Sequence, residues 1–351
     1  MADELARLVE RIRPLDEGAM KVARAELDRK TKPRRSLGRL EELAVKYAGI
    51  RGSATPEPPR ATIVVAVADH GYAEEGVSAY PQEVTRQMLA NFAGGGAAVC
   101  VLAREAGIEL VVVDAGVATP YEHPSIRQVR LGSGTANAAK GPAMKRTQAR
   151  AALRAGAAIA ATLAAEGVDI VGLGEMGIGN TTAASALHAA LLGLPPRDLC
   201  GIGTGLDAGG VRRKIDVVER ALARNGPFDD PVGALASLGG FEIGVLAGIM
   251  LGAAAERRLV LLDGFITAAA ALVAARISPL SVEYAIASHR SPEPGHGHGL
   301  AALGLEPLLD LELRLGEGSG AALALPLLRS AVAVLREMST FESAGVTDSG
   351  R

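Results

Sequence analysis

Three glycine-rich stretches hold the side chains best suited to chemistry. The first is Gly174-Glu175-Met176-Gly177-Ile178-Gly179-Asn180-Thr181-Thr182, which follows an apolar run and leads directly into a helical pattern. Glycines let the backbone turn tightly there, Asn180 or Thr181 can cap the helix, and free N–H groups at a helix start attract an anion. The stretch lacks the Gly-Lys-Ser/Thr ending of a P-loop, so a triphosphate with magnesium is not indicated. The second is Gly201-Ile202-Gly203-Thr204-Gly205-Leu206-Asp207, which leads to Lys214 on the next helix. A lysine so placed is ordinarily a solvated surface group, but beside two glycine loops it can meet a phosphate as a point charge. The third is Arg314-Leu315-Gly316-Glu317-Gly318-Ser319-Gly320, just before a long apolar helix. Its carboxylate has a plain structural reading as a negative charge on the helix dipole. The small neighbours on both sides point instead to something packed against Glu317, the access a general base requires.

Other patterns are weaker. Gly172-x-Gly174-x-x-Gly177 matches a dinucleotide fingerprint, yet it follows the third strand candidate and puts Glu175 where a pyrophosphate would lie. A nicotinamide-dependent oxidoreductase, a non-catalytic nucleotide-binding module and a capped turn with no ligand all stay open on these residues. His296-Gly297-His298 has no Cys or Asp/Glu cluster to complete a metal site and is expected in a loop before a helix at Leu300. His70 and His289, at strand ends, are expected as hydrogen-bonded structural residues. Ser288, Ser291 and Ser319 lack nucleophile-elbow spacing.

The elements that must carry these groups alternate. Short apolar runs at Thr62–Ala68, Leu110–Asp114, Asp169–Leu173, Leu259–Leu262 and Tyr284–Ala287, with Leu199–Ile202 weaker, read as strands buried on both faces. Helical patterns at Glu83–Phe92, Ala97–Ala106, Gln148–Ala165, Thr182–Leu191, Val211–Arg224 and Phe241–Ala255 fall between them. The expected fold is α/β, a doubly wound, Rossmann-like parallel sheet with helices on both faces, and its ligand crevice lies beyond the carboxyl ends of the strands. Before the sheet come three helices. Pro14 stops the first, Ser36 is expected to cap the third, and Arg51–Arg60 is a Pro-rich linker. The tail returns to helix over Ala321–Met338, and the last ten residues are expected to fray.

Composition narrows the classes. The 351 residues are 48% hydrophobic and 22% charged, enough apolar content for a large core and a length suited to about two domains. A formal charge of -2, 3% aromatics and no Trp argue against nucleic acid and anionic membranes as partners. Apolar runs such as Gly244–Ala255, bounded by Glu242 and Glu256, fall short of a membrane span. The acidic, amphipathic start is no secretory signal, and Cys100 and Cys200 lie in apolar surroundings, so a reducing, cytoplasmic setting without disulfides is expected. The Gly count of 43 is read as many tight strand-to-helix turns.

Taken together, Asp69–Pro81 (DHGYAEEGVSAYP), Gly174–Thr182 (GEMGIGNTT), Leu261–Thr267 (LLDGFIT), Ser288–Ser291 (SHRS) and Arg314–Pro326 (RLGEGSGAALALP) closely resemble the nicotinate-nucleotide:dimethylbenzimidazole phosphoribosyltransferase family. The likeness runs in order from Ser36-Leu37-Gly38-Arg39-Leu40 to Met338. It departs at Lys32-Pro33-Arg34-Arg35-Ser36, where the family usually reads Pro-Gly before the Ser. The resemblance implies transfer of 5-phosphoribose from nicotinate mononucleotide to 5,6-dimethylbenzimidazole or a related base. The products would be nicotinate and α-ribazole 5′-phosphate, with inversion at the anomeric carbon, as a step in assembling the cobalamin nucleotide loop. By the family's motif Glu317 is the general base, and Glu175 and Lys214 give electrostatic support. Gly177, Gly179, Asn180, Thr181 and Gly203 hold the phosphate and ribose. Tyr80, Met88, Met176 and Leu315 line the benzimidazole pocket, more apolar here than in relatives with Ser and Gln at the first two positions. No metal and no cofactor are implied. The implied architecture is a homodimer, each chain having a small helical domain from residues 1–50 and 321–351 and a catalytic domain over 61–320.

Overall fold

The computed structural model describes residues 2–347. Three helices come first, α1 (Ala2–Arg11), α2 (Glu17–Arg29) and α3 (Arg39–Arg51). Then β1 (Ala61–Ala68), α4 (Val84–Ala93), α5 (Ala98–Glu105), β2 (Glu109–Gly116), β3 (Ile126–Gln128), α6 (Arg146–Ala165) and β4 (Ile170–Met176) follow. The chain continues through α7 (Asn180–Leu192), α8 (Ala208–Asn225), α9 (Pro231–Leu238), α10 (Phe241–Ala255), β5 (Leu259–Leu262), α11 (Phe265–Ile277) and β6 (Ala285–Ala287). It closes with α12 (Pro294–Leu303), α13 (Ser319–Glu337) and α14 (Phe341–Ala344).

The six strands form one parallel sheet in the order β3-β2-β1-β4-β5-β6. All eight residues of β1 are buried, as a central strand covered by helices on both faces requires. The order reverses between β1 and β4, so the chain leaves these two neighbours in opposite directions and opens a crevice at their carboxyl ends. Register puts Ala66 opposite Glu175 and Val67 opposite Met176 there.

Helix α10 crosses α6 closely because glycines meet backbone. A Cβ on Gly156 would overlap Val245 O, and one on Gly248 would overlap Leu153 O. Part of the glycine excess therefore serves helix packing rather than strand-to-helix turns. α13 packs on α3 and α5 and also on β4 and β5, so the chain's last long helix ties its first helices to the sheet. Thr31 N donates to Ser339 O at 3.0 Å, joining the two ends further.

Several expectations need correction. Ser36 does not cap α3: Gly38 is the N-cap, and Leu37 N is held by Glu41 Oε1 at 3.1 Å. Leu199–Ile202 is not a strand but the end of a 3-10 turn, opened by Pro196, and a loop. His296 and His298 lie within α12, not in a loop, because Pro294 starts the helix earlier. α13, at 19 residues, is long and apolar enough to cross a membrane by composition, but more than half of it is buried against the sheet and α3, as in a core helix. Helix α14 orders 341–344, so the expected fraying of the last ten residues does not begin at 342, and 348–351 lie outside the described residues. Cys100 and Cys200 are free and buried.

Candidate active site

A cavity of about 260 Å³ lies at the carboxyl end of the sheet. Its walls are Glu175 and Met176 from β4, Asn180 and Thr181 from α7, and Gly203 from the second glycine loop. The ends of β5 and β6 add Phe265, His289, Ser291 and Glu293, and the stretch from Arg314 to Gly316 closes it. A larger hollow of about 730 Å³ lies between α2 and α3, with Glu283 before the start of β6 in its wall, and takes in no residue of the three glycine stretches. The chemistry belongs to the smaller cavity, where the convergent polar groups are.

Glu175 is 4% exposed. Burial, and then the nearby carboxylates of Asp263, Glu242 and Glu317, raise its pKa well above the usual carboxylate range, against a hydrogen bond from Asn180 Nδ2. That bond also corrects the capping expectation. Gly179 is the N-cap of α7, and neither Asn180 nor Thr181 caps it. Their side chains go to Glu175 and Lys214 instead. Gly177 lines the cavity, and Gly179 sits behind it against His70 and Tyr72. Three amides of this turn are already committed, Ile178 N to Thr85 Oγ1 and Asn180 N and Thr182 N to backbone carbonyls. Fewer donors are left for an anion than the glycine pattern suggests.

Lys214 is wholly buried rather than solvated. Its Nζ donates to Thr181 Oγ1 and Gly201 O, both at 3.1 Å, directly beneath Gly203. Burial lowers its pKa, with Glu293 and Cys200 pulling it back up. Thus the ammonium lies behind the cavity wall, within one side chain of it.

Glu317 lies on the other side. Its backbone is left-handed, φ +63°, between Gly316 at +85° and Gly318 at +91°. Such a conformation costs a non-glycine residue about 1–3 kcal/mol and clusters at functional positions. Gly174 makes the close approach possible, since a Cβ there would overlap Glu317 O. The carboxylate is 5% exposed, and its Oε2 accepts from Val99 N at 3.3 Å. It therefore caps α5, whose N-cap Ala97 has no side-chain acceptor, and not α13. Burial raises its pKa; the Val99 amide opposes this and Asp263 adds to it. Glu317 stands behind Gly316, which forms the wall proper.

Of the four pocket residues, Tyr80, Met176 and Leu315 border the cavity, Tyr80 at 55% and Leu315 at 57% exposure. Met88 does not; it lies on α4, packed partly against the core. His70 is structural, its Nε2 2.7 Å from Glu242 Oε1 with both side chains fully buried. Among the described residues no group of three or more His, Cys, Asp or Glu is placed to hold a metal ion.

Reading residue types gave no site role to Asp263, Ser291 or Glu293, and took His289, which borders the cavity, as a hydrogen-bonded structural residue. Asp263 accepts from Gly318 N and Gly320 N, and Glu293 Oε1 from Gly203 N at 2.8 Å. Their one signal was position, since all stand just past the ends of β5 and β6.

Comparison with known proteins agrees with this geometry. A phosphoribosyltransferase family model matches residues 12–346. A nicotinate-nucleotide–dimethylbenzimidazole phosphoribosyltransferase from Solidesulfovibrio magneticus is 52% identical over 99% of this chain and 100% of its own. One of the same name from Pseudomonas putida (strain W619) is 53% identical over 95% of this chain and 96% of its own. A crystal structure of the enzyme so named from Thermus thermophilus superposes with a TM-score of 0.90 at 48% identity, covering 95% of this chain and all of that one. A second, of CobT from the same organism, gives 0.91 at 49% identity over 94% and 99%.

Proposed function

This chain belongs to the nicotinate-nucleotide–dimethylbenzimidazole phosphoribosyltransferase family, and we propose that it moves 5-phosphoribose from nicotinate mononucleotide to 5,6-dimethylbenzimidazole or a related base. The products are nicotinate and α-ribazole 5′-phosphate, with inversion at the anomeric carbon, serving cobalamin nucleotide-loop assembly. One observation supports this beyond the family match: two buried carboxylates with raised pKa values, Glu175 and Glu317, flank one end of the strand-end cavity while Lys214 lies behind the other.

Nicotinate is a cationic ring in the nucleotide and leaves without an acid catalyst. One benzimidazole nitrogen attacks the anomeric carbon, and the N–H on the other becomes acidic as the bond forms. Glu317 takes that proton, leaving the Val99 amide to do so, and a pKa raised by burial suits the task. Glu175, on the wall, stabilises in its carboxylate form the positive charge that builds at the anomeric carbon. The 5′-phosphate sits against Gly177, Thr181 and Gly203, with the Lys214 charge beneath. Tyr80, Met176 and Leu315 hold the base, and its ranking of acceptors is theirs to set.

A second reading has an observation in its favour. Glu175 lines the cavity and Glu317 does not, so Glu175 itself could be the base. Turnover of nicotinate mononucleotide with dimethylbenzimidazole in Glu317→Gln and Glu175→Gln separates the two. On our reading both are slow, but only Glu317→Gln becomes insensitive to the acidity of the acceptor N–H across a benzimidazole series. No turnover by the parent protein would remove the proposal altogether.

The same reading takes residues 1–50 and 321–351 as a small helical domain and the protein as a homodimer. The exposed Tyr80 and Leu315 at the cavity mouth are surfaces a second copy would cover. Sedimentation of the purified chain checks this, and a monomer at working concentration counts against it.

A further inference from the structure

The turn that carries Glu317 is held from outside. Gly316, Glu317 and Gly318 are all left-handed, and Gly318, the N-cap of α13, has no side chain to cap with. The cap comes from another strand. Asp263, next after β5 and 1% exposed, accepts from Gly318 N on Oδ2 at 3.1 Å and from Gly320 N on Oδ1 at 2.6 Å. One carboxylate thus pins two amides just past Glu317.

A second group is set against that carboxylate. His289, past the end of β6, brings Nε2 to 3.5 Å from Asp263 Oδ1 and forms part of the cavity wall. The ring is 3% exposed and lies so close to Gly320 that a Cβ there would overlap it. Asp263 needs such a neighbour. It shares its surroundings with Glu175 and Glu317, and each of those feels its charge. Its negative charge raises the pKa of both.

We propose that Asp263 and His289 are positioning residues for the reaction, Asp263 clamping the Glu317 loop through two amides and His289 holding the Asp263 carboxylate in place from the cavity side. The inference rests on Glu317 being the base. Burial opposes a charge on His289, but the hydrogen bond and attraction from Asp263, with Asp310 adding to them, raise its pKa above the ordinary histidine range. Its other neighbours do not reverse this. His296, with its ring centre 6.2 Å away, is pushed down to about 3, by burial first and by His289 next, and Arg290 is paired with Asp310.

The test uses the full chain with nicotinate mononucleotide and dimethylbenzimidazole, in Asp263→Asn, His289→Gln, Glu317→Gln and the Asp263→Asn/Glu317→Gln pair. Asparagine presents only one acceptor to the two amides, so kcat should fall about 10–100-fold, as for loss of an orienting partner. KM for the nucleotide should stay within about twofold, because ground-state binding is untouched. In His289→Gln the loss should be greatest at low pH and close as pH rises, since the parent's own His289 gives up its proton, and with it its hold on Asp263, as pH passes its raised pKa. In the Glu317→Gln background Asp263→Asn should add no further loss. If it lowers that background by the same factor as the parent, Asp263 acts elsewhere and the proposal falls. It also falls if Asp263→Asn keeps the parent kcat, or if the His289→Gln deficit is the same at every pH. Should Asp263→Asn not fold, the His289→Gln profile alone decides. A full rate in Glu317→Gln overturns the base assignment and this inference together. A slow Glu317→Gln beside full rates in the other two overturns this inference alone.

Discussion

The two sides of the cavity are built on opposite principles. On the side of Gly177, Thr181, Gly203 and Lys214, polar groups find protein partners. Lys214 has two acceptors, Gly203 N meets Glu293, and three amides of the turn are bonded. On the side of Glu175, Asp263 and Glu317, like charges crowd together, two pKa values are raised, and three successive residues are left-handed. A binding surface works by being settled before the ligand arrives. Chemistry needs groups whose protonation is in question, and strain and perturbed acids gather where it happens.

Breaking the strained side should have the larger effect. Glu175→Gln should lower turnover by about 10²–10³-fold, the scale of losing one electrostatic stabiliser. The same change removes a charge crowded by three others, so the melting temperature should rise, by about 1–2 °C for each kcal/mol relieved in a chain of 351 residues. The sign follows from the raised pKa. Protonated Glu175 is the form the fold favours, its contribution to stability is lost as pH rises, and the gain from Gln should shrink on acidification. For the parent, turnover should fall on the acid side at a pH above the ordinary carboxylate range. An acid limb at the usual carboxylate pKa would argue that neither glutamate carries the profile.

The settled side should lose affinity rather than rate. In Gly177→Val a side chain must displace Ala68 O, so the turn shifts and nicotinate mononucleotide should bind about 10–100-fold more weakly by calorimetry, with free benzimidazole binding kept. Equal affinity for the nucleotide would take this turn out of the site. Tyr80→Ser should reorder benzimidazole, dimethylbenzimidazole and adenine as acceptors by about 1–3 kcal/mol. An unchanged ranking would move the base elsewhere. Smallest of all, Met88→Gln should change acceptor preference by less than about 0.5 kcal/mol, because Met88 does not border the cavity. A large change there would mean that α4 moves onto the base.

What could be read beforehand follows the range of the interactions. Strands β1, β4 and β5 stand out as unbroken apolar runs, because a covered parallel strand has no polar face. β3 did not, having three residues with two exposed. α11 did not either, since Phe265–Ile277 is apolar on nearly every side and leaves no period to detect. Glu317, Glu175 and the glycine turns were legible in their local context. Their partners were not: Asp263 and Gly318 are 55 residues apart, Val99 and Glu317 218 apart, and only the strand order brings them together. The burial of Lys214 was hidden for the same reason, its acceptors coming from α7 and the loop before α8.

The central claim is that Glu317 moves a proton, while in the resting protein it caps α5. Glu317→Gln keeps the shape and a hydrogen-bonding group but cannot accept a proton. Single-turnover rate, nucleotide affinity and thermal melting on this one variant decide the matter. The account predicts a rate lower by about 10²–10⁴-fold with nucleotide binding little changed, and a melting temperature that does not fall, since a pKa raised by burial means that the fold favours the uncharged side chain. A full rate beside a lowered melting temperature would contradict it and leave Glu317 a helix cap and nothing more.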